Sequence, residues 1–179
     1  MLVPTKNIRR CYVIGNGHSR KNYSIDTLTW PKFGCNQIYQ DHRVDYLLAQ
    51  DGQVLRQMER DRVAQTVYVP FKKWRSLSEQ VSPGGLQIQT VRTDERLMSH
   101  WLTGEMAVIL AAQLGFDRIK VIGFDGGPDS WYRARTSTNS SLEVCQSHPV
   151  RYADTFKRIQ QLFPHIIIET DEYFCYHYK

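Results

Sequence analysis

The run Cys11-Tyr12-Val13-Ile14-Gly15-Asn16-Gly17-His18-Ser19 is apolar and partly β-branched up to Ile14, then places two glycines around an asparagine with a serine behind them. That composition is how a buried strand turns sharply into a loop. Glycine permits positive φ and lets backbone N–H groups approach an anion with no Cβ in the way, so Gly15, Asn16, Gly17 and Ser19 read as a loop for a nucleotide phosphate. The loop has neither the third glycine of a dinucleotide fingerprint nor the Gly-Lys-Ser/Thr of a P-loop. The other reading is a strand-end turn with Ser19 capping a short helix. His18 adds a titratable group that either meets a phosphate or faces solvent. Asn36 and Gln37 end a second apolar stretch, Pro31 to Tyr39. Their side-chain amides suit a ribose or a base edge, or else cap the following turn. Asp125 closes Arg118-Ile119-Lys120-Val121-Ile122-Gly123-Phe124-Asp125, at the carboxyl end of a buried strand, where open α/β sheets take their ligands.

These groups need elements to hold them. Strands are expected at Ile8 to Ile14, Pro31 to Tyr39, Val44 to Ala49 and Val67 to Pro70, with an edge strand at Leu86 to Val91 and buried ones from Arg118 and from Ile166 to Glu169. Gln50 and Asp51 sit at the end of the third, where Gly52 opens an amphipathic helix from about Gln53 to Ala64. The stretch from Lys72 to Arg96 has little pattern, is broken by Pro83-Gly84-Gly85, and is expected to be irregular. Thr103-Gly104-Glu105-Met106-Ala107-Val108-Ile109-Leu110-Ala111-Ala112-Gln113-Leu114-Gly115 reads as a helix capped by Thr103 and stopped by Gly115. It has almost no polar face, so it must be covered on most sides and is the central helix of the fold. A last amphipathic helix runs from Val150 to Phe163, ahead of Pro164. Strands alternating with helices make an α/β fold, a doubly wound, mostly parallel sheet flanked by helices, Rossmann-like. Residues 126–148 are polar and hold Trp131 and Tyr132. More than twenty residues without an element in a compact domain read as a short lid.

The 179 residues fit one domain, 1–179, and the 41% apolar and 23% charged residues are ordinary for a soluble globular protein. No run approaches the roughly 18 apolar residues of a membrane span, and no apolar segment follows Lys6, Arg9 and Arg10, so a cytoplasmic location without a transmembrane segment is expected. Cys11, Cys35, Cys145 and Cys175 are scattered, which argues against a zinc site or a disulfide framework. A net charge of +5 favours an anionic partner: a nucleotide, an acidic sugar, nucleic acid or an anionic surface. Lys72, Lys73 and Arg75 are the tightest basic knot and read as a solvated face. The aromatic tail from Tyr173 to Tyr178 is expected to pack over the sheet or to meet a second copy of the chain.

Val13 to Ser19, Cys35-Asn36-Gln37-Ile38-Tyr39, and Thr103-Gly104 with the apolar helix and Ile122-Gly123-Phe124-Asp125, in that order, resemble the bacterial sialyltransferases of glycosyltransferase family 42. They also resemble a wider set of short Rossmann-like proteins that includes the archaeal hydroxymethyl-dihydropterin pyrophosphokinases. The resemblance to the sialyltransferases implies a single nucleotide-binding domain with a lid and transfer of a sialic-acid type sugar to a glycan hydroxyl. It implies a CMP-linked or related nucleotide-sugar donor, with no metal, no other cofactor and no nucleic-acid partner. It assigns Gly15, Asn16, Gly17 and Ser19 to the donor's phosphate and ribose, and Asn36 and Gln37 to its sugar or base. Gln50, Asp51 and Asp125 would complete the nucleotide site, with Thr103 and Gly104 beside the donor. Tyr132 would hydrogen-bond the leaving phosphate, and His148, just before the last helix, would be the general base.

A histidine titrates near neutrality and a tyrosine is a neutral donor, as removal of an acceptor proton and departure of a phosphate require. Apart from the resemblance, His148 next to Pro149 reads as a helix-capping surface residue. Gly127 stands where the family has a second lid tyrosine, Gln50 lies near a position that is asparagine there, and His18 replaces a proline. A pyrophosphokinase-like transfer would instead need magnesium, for which Asp51, Asp125 and Asp129 are the available carboxylates. A binding protein without catalysis is a third reading.

Overall fold

A computed structural model describes residues 7–92, 102–125, 148–172 and 174. Seven strands form a single sheet: β1 (Arg10–Ile14), β2 (Lys32–Cys35), β3 (Tyr46–Leu48), β4 (Val67–Pro70), β5 (Ile88–Val91), β6 (Arg118–Ile122) and β7 (Ile167–Glu169). Their order is β5-β4-β3-β2-β1-β6-β7, and every neighbouring pair is parallel. The chain marches outward from β1 to β5 and then returns to add β6 on the other flank of β1. Because the direction of winding reverses between β1 and β6, the crevice at their carboxyl ends is the switch point where doubly wound sheets bind ligands.

Among the described residues four helices cover the sheet: α1 (Gly52–Arg60), α2 (Phe71–Leu77), α3 (Thr103–Gln113) and α4 (His148–Leu162). One face carries α3 and α4. There Cys11 and Val13 of β1, Phe33 of β2 and Ile119 and Val121 of β6 meet Met106 to Ala112 of α3 and Phe156 and Ile159 of α4. The other face buries Ile14, Leu47, Val67, Val69 and Ile122 under Leu55 and Met58 of α1, Leu77 of α2 and the 3-10 turns that hold Ile25 and Ile38. Successive strand residues point to opposite faces, and both faces here are apolar, which is why the strands read as continuous apolar runs.

The apolar sequence from Met106 to Ala112 forms the central helix because every residue of it is buried, with Ala107, Val108, Ile109 and Ala111 at 0% exposure. Withdrawing Val108, Ile109 and Leu110 from water is worth about 1.5–3 kcal/mol each. Gly115 ends the helix at φ +82, with its N–H on Ala112 O and the Phe116 N–H on Ala111 O. This is a Schellman closure, whose left-handed residue is seldom anything but glycine. At the other end, Leu102 and not Thr103 is the capping residue. Thr103 is the first helical residue, and the Glu105 carboxylate accepts the Leu102 N–H at 2.8 Å.

Other expectations are corrected as well. Residues 71–77 form a helix where irregular chain was expected. Only Trp74 and Leu77 turn inward there, too few to mark a helical period among five exposed residues. The second strand stops at Cys35, and Asn36 and Gln37 begin a 3-10 turn, Asn36–Gln40. β6 ends at Ile122, three residues before Asp125. β7 is an edge strand with Ile167 48% exposed, and β5 closes the opposite edge as expected. Phe174 packs on Phe156 at 5.6 Å; the rest of the aromatic tail lies outside the described residues. Among the described residues no helix is long and apolar enough to cross a membrane.

Candidate functional site

The loop after β1 runs along the end of β6. The Gly15 N–H donates to Ile122 O at 2.8 Å and the Gly17 N–H to Gly123 O at 2.9 Å, so the two strands stay zipped past their formal ends. A Cβ on Gly15 would lie 2.5 Å from Gly123 O, and one on Gly17 would fall on Asp125 Oδ1. These glycines are therefore required by the approach of β6. The Ser19 N–H and hydroxyl then donate to Asp125 Oδ2 and Oδ1, each at 3.0 Å. The amides of Gly15, Gly17 and Ser19, read from the sequence as donors to a phosphate, are taken up by the neighbouring strand end and by a carboxylate. Asp125 itself fills the anion position at Ser19. What remains to meet a ligand from this loop is Asn16.

Asn16, Asn36 and Gln50 follow β1, β2 and β3, three strands adjacent in the sheet, so three side-chain amides line one carboxyl edge. Asn16 Oδ1 and Asn36 Oδ1 are buried and accept no hydrogen bond among the described residues. A buried acceptor left without a donor costs about 1–3 kcal/mol, so each calls for a partner. Asn36 also has φ +55, a left-handed conformation that asparagine tolerates better than most side chains. Unmet polar groups and an unusual backbone at one strand end are the marks of a binding site. Gln37, in the same turn, is half-buried.

Gln50 and Thr103 line one shallow depression whose walls include Leu48, Ala49, Pro70 and Met106, under the amino end of α3. Thr103 is 7% exposed, and the Phe124 ring covers Gly104. The helix directs its partial positive charge at this corner. The structure thus brings Gly15, Asn16, Gly17, Ser19, Asn36, Gln37, Gln50, Thr103, Gly104 and Asp125 to one edge of the sheet. Asp51 is apart in role: it is exposed and caps α1 by accepting the Gln53 N–H at 2.8 Å. Sequence reading missed Arg20, a buried guanidinium beside Ser19 that pairs with Asp41. An arginine after a glycine loop reads as solvated, and only the tertiary structure shows it enclosed.

Cys35, just before Asn36, is no nucleophile, because burial pushes its thiol up to about 12. Burial does the same to Cys11, also to about 12. Among the described residues no three His, Cys, Asp or Glu side chains gather to hold a metal ion. Tyr132 and Asp129 lie outside the described residues, as does the expected lid from 126 to 147. His148 is the first residue of α4 rather than the residue before it.

The sequence matches no family model, and no curated protein matches it. Solved structures match the fold. The monofunctional α-2,3-sialyltransferase Cst-I from Campylobacter jejuni superimposes with a TM-score of 0.56 at 13% identity, over 99% of this chain and 79% of that one. The sialyltransferase CST-II in complex with a trisaccharide acceptor and CMP gives 0.53 at 11% identity, over 94% and 82%. The fold is sialyltransferase-like. At these identities the likeness concerns architecture, and the site has to be argued from its own residues.

Proposed function

We propose that this chain is a glycosyltransferase of sialyltransferase type, which moves a sialic-acid type sugar from a CMP-linked donor to a glycan hydroxyl without a metal ion. The observation that carries the reading is the pair of buried oxygens Asn16 Oδ1 and Asn36 Oδ1 at the carboxyl ends of β1 and β2, which accept no hydrogen bond among the described residues. A nucleoside's hydroxyl and amino groups are the donors such oxygens lack. The fold supports it, since one structure of this architecture holds CMP and a trisaccharide acceptor.

In this reading Asn16, Asn36 and Gln37 orient the nucleoside, with Gln50 on the adjoining strand. Thr103 and Gly104, at the positive end of α3, face the phosphate. His148, as neutral imidazole, takes the proton of the acceptor hydroxyl as that oxygen bonds to the sugar's anomeric carbon. The bond from that carbon to the phosphate oxygen breaks, and the Tyr132 hydroxyl donates a hydrogen bond to the departing CMP. Asp125 holds Ser19 and so shapes the loop, a role different from the nucleotide contact expected of it.

The test is a thermal-unfolding series with CMP, CDP, UDP, GDP and ATP, each in EDTA and in Mg²⁺. Ligand at a hundred times its Kd stabilises by about 2.7 kcal/mol, a rise in Tm of roughly 5–10 °C for a chain of this size. CMP is expected to do so equally in EDTA. His148→Ala is then expected to lose about 10²–10⁴ in turnover while holding CMP as wild type does. A response confined to Mg²⁺ with ATP would move the reading to pyrophosphoryl transfer. No response to any nucleotide would make the chain a binding protein of another kind.

A further inference from the structure

Arg20 is the largest fully buried side chain among the described residues, 2% exposed, in the 3-10 turn His18–Asn22 that follows the glycine loop. Its Nη2 donates to Asp41 Oδ2 at 3.2 Å. Asp41 immediately follows the turn Asn36–Gln40, and its side chain is 23% exposed. The stem of Arg20 also packs under the end of β6, where a Cβ on Gly123 would lie 3.3 Å from Arg20 Cβ. Its neighbour Ser19 holds Asp125. Two successive residues therefore reach to opposite flanks of β1, Ser19 toward the segment after β6 and Arg20 toward the turn after β2.

Backbone pairing of β1 with β2 stops at Ile14 and Gly34. Beyond that point the spacing between the loop with Asn16 and the turn with Asn36 depends on side chains, and the Arg20–Asp41 pair spans them. A buried ion pair is a poor means of stabilisation, because desolvation offsets most of the attraction and an apolar residue of the same volume serves as well. Its distinct property is direction: a guanidinium bonded to a carboxylate fixes both groups in distance and orientation.

We propose that Arg20 is a positioning residue, whose buried pair with Asp41 sets the separation of the Asn16 and Asn36 side-chain amides at the carboxyl ends of β1 and β2. The identity of the ligand rests on the sugar-transfer reading; the geometry does not.

The test compares wild type with Arg20→Met, Arg20→Lys and Asp41→Asn by hydrogen exchange and by calorimetric titration with CMP, well below every Tm. Arg20→Met and Asp41→Asn are expected to speed amide exchange in residues 15–19 and 36–41 by about tenfold, with 103–113 unchanged, and to weaken CMP binding by about tenfold. Arg20→Lys keeps the cation but not the planar fork, and is expected to recover CMP affinity only in part, to a value between Arg20→Met and wild type. Should Arg20→Met not fold, Asp41→Asn carries the test, since its site reaches solvent. Variants that lower Tm yet leave exchange in both loops and CMP affinity within about twofold of wild type would overturn the proposal. If wild type does not bind CMP, the sugar-transfer reading fails, and exchange in the two loops still decides the role of Arg20.

Discussion

At the amino-terminal edge of the sheet the chain is closed on itself. Asp117 Oδ2 accepts the Arg9 N–H at 3.0 Å, Arg9 Nη1 donates to Leu114 O at 2.7 Å, and the Ile167 N–H donates to Asp117 O at 2.8 Å. At the carboxyl edge two buried amide oxygens find no donor among the described residues, Asn36 is left-handed, and glycines stand where β6 leaves no room for a side chain. Among the described residues the same sheet thus has one edge whose polar groups pair within the protein and one that leaves two buried acceptors open. The difference is what directs the proposed site to the carboxyl edge, because a buried polar group without a partner calls for an explanation.

The contrast is broken most severely at the closed edge. Phe116 is 4% exposed, meets Phe33 edge-on at 5.6 Å and lies under the Arg9 guanidinium at 4.6 Å. Phe116→Ala is expected to cost about 3–5 kcal/mol, lowering Tm by roughly 10 °C in a thermal melt, while the folded fraction keeps its CMP affinity in calorimetry. A fall in affinity as large as that of a site variant would erase the distinction between the edges.

At the open edge the expected balance is reversed. Asn36→Gly removes an unmet oxygen and accepts φ +55 without strain, so stability should change by less than about 1 kcal/mol. CMP affinity should fall by about tenfold, the loss of one well-placed hydrogen bond. Equal affinity would show that the Asn36 oxygen faces no ligand.

The smallest effect belongs to an exposed tie near the buried one. The hydrogen bond from His42, at 3.0 Å, holds the Asp26 carboxyl below its usual range, with lesser help from the charges of His42 and Lys32. A carboxyl held low when folded stabilises above its unfolded pKa, and that contribution is lost as pH falls through the folded value. Asp26→Asn should therefore lower Tm slightly at pH 7, by about 1–2 °C given its exposure, and the gap should close as the pH falls below the ordinary carboxylate range. Wild-type hydrogen exchange in residues 36–41 should be unaffected by this change, in contrast to Asp41→Asn.

Much of the architecture is legible in the residues, because a helix apolar on all sides and strands apolar on both faces permit few arrangements. Met106 to Ala112 and Gly115 announce the central helix and its stop, and Ile119 to Ile122 a strand buried twice over. The helix at 71–77 is not legible, since Trp74 and Leu77 alone mark its inner face. Nor is the helix cap, where Glu105 acts from within the helix on a leucine amide. The amides at 16, 36 and 50 are readable as types suited to a nucleoside. That two of their oxygens are unmet, and that Gly15 and Gly17 serve β6, follows from strand order, which no short stretch encodes. Arg20 is invisible for the same reason: its burial is made by Gly123 and Asp41, far from it in the chain.

The strand order also bears on how the chain comes to fold during synthesis. β1 is made before the other strands of the sheet and lies near the middle of the finished sheet, paired on one side with β2 and on the other with β6 about a hundred residues later. At about 5–20 residues per second, one flank of β1 waits several seconds for its partner to emerge. Through that interval Cys11 and Val13, fully enclosed in the end, have neither β6 nor α3 beside them. The nascent chain therefore carries an unpaired, apolar strand edge until β6 arrives to cover it.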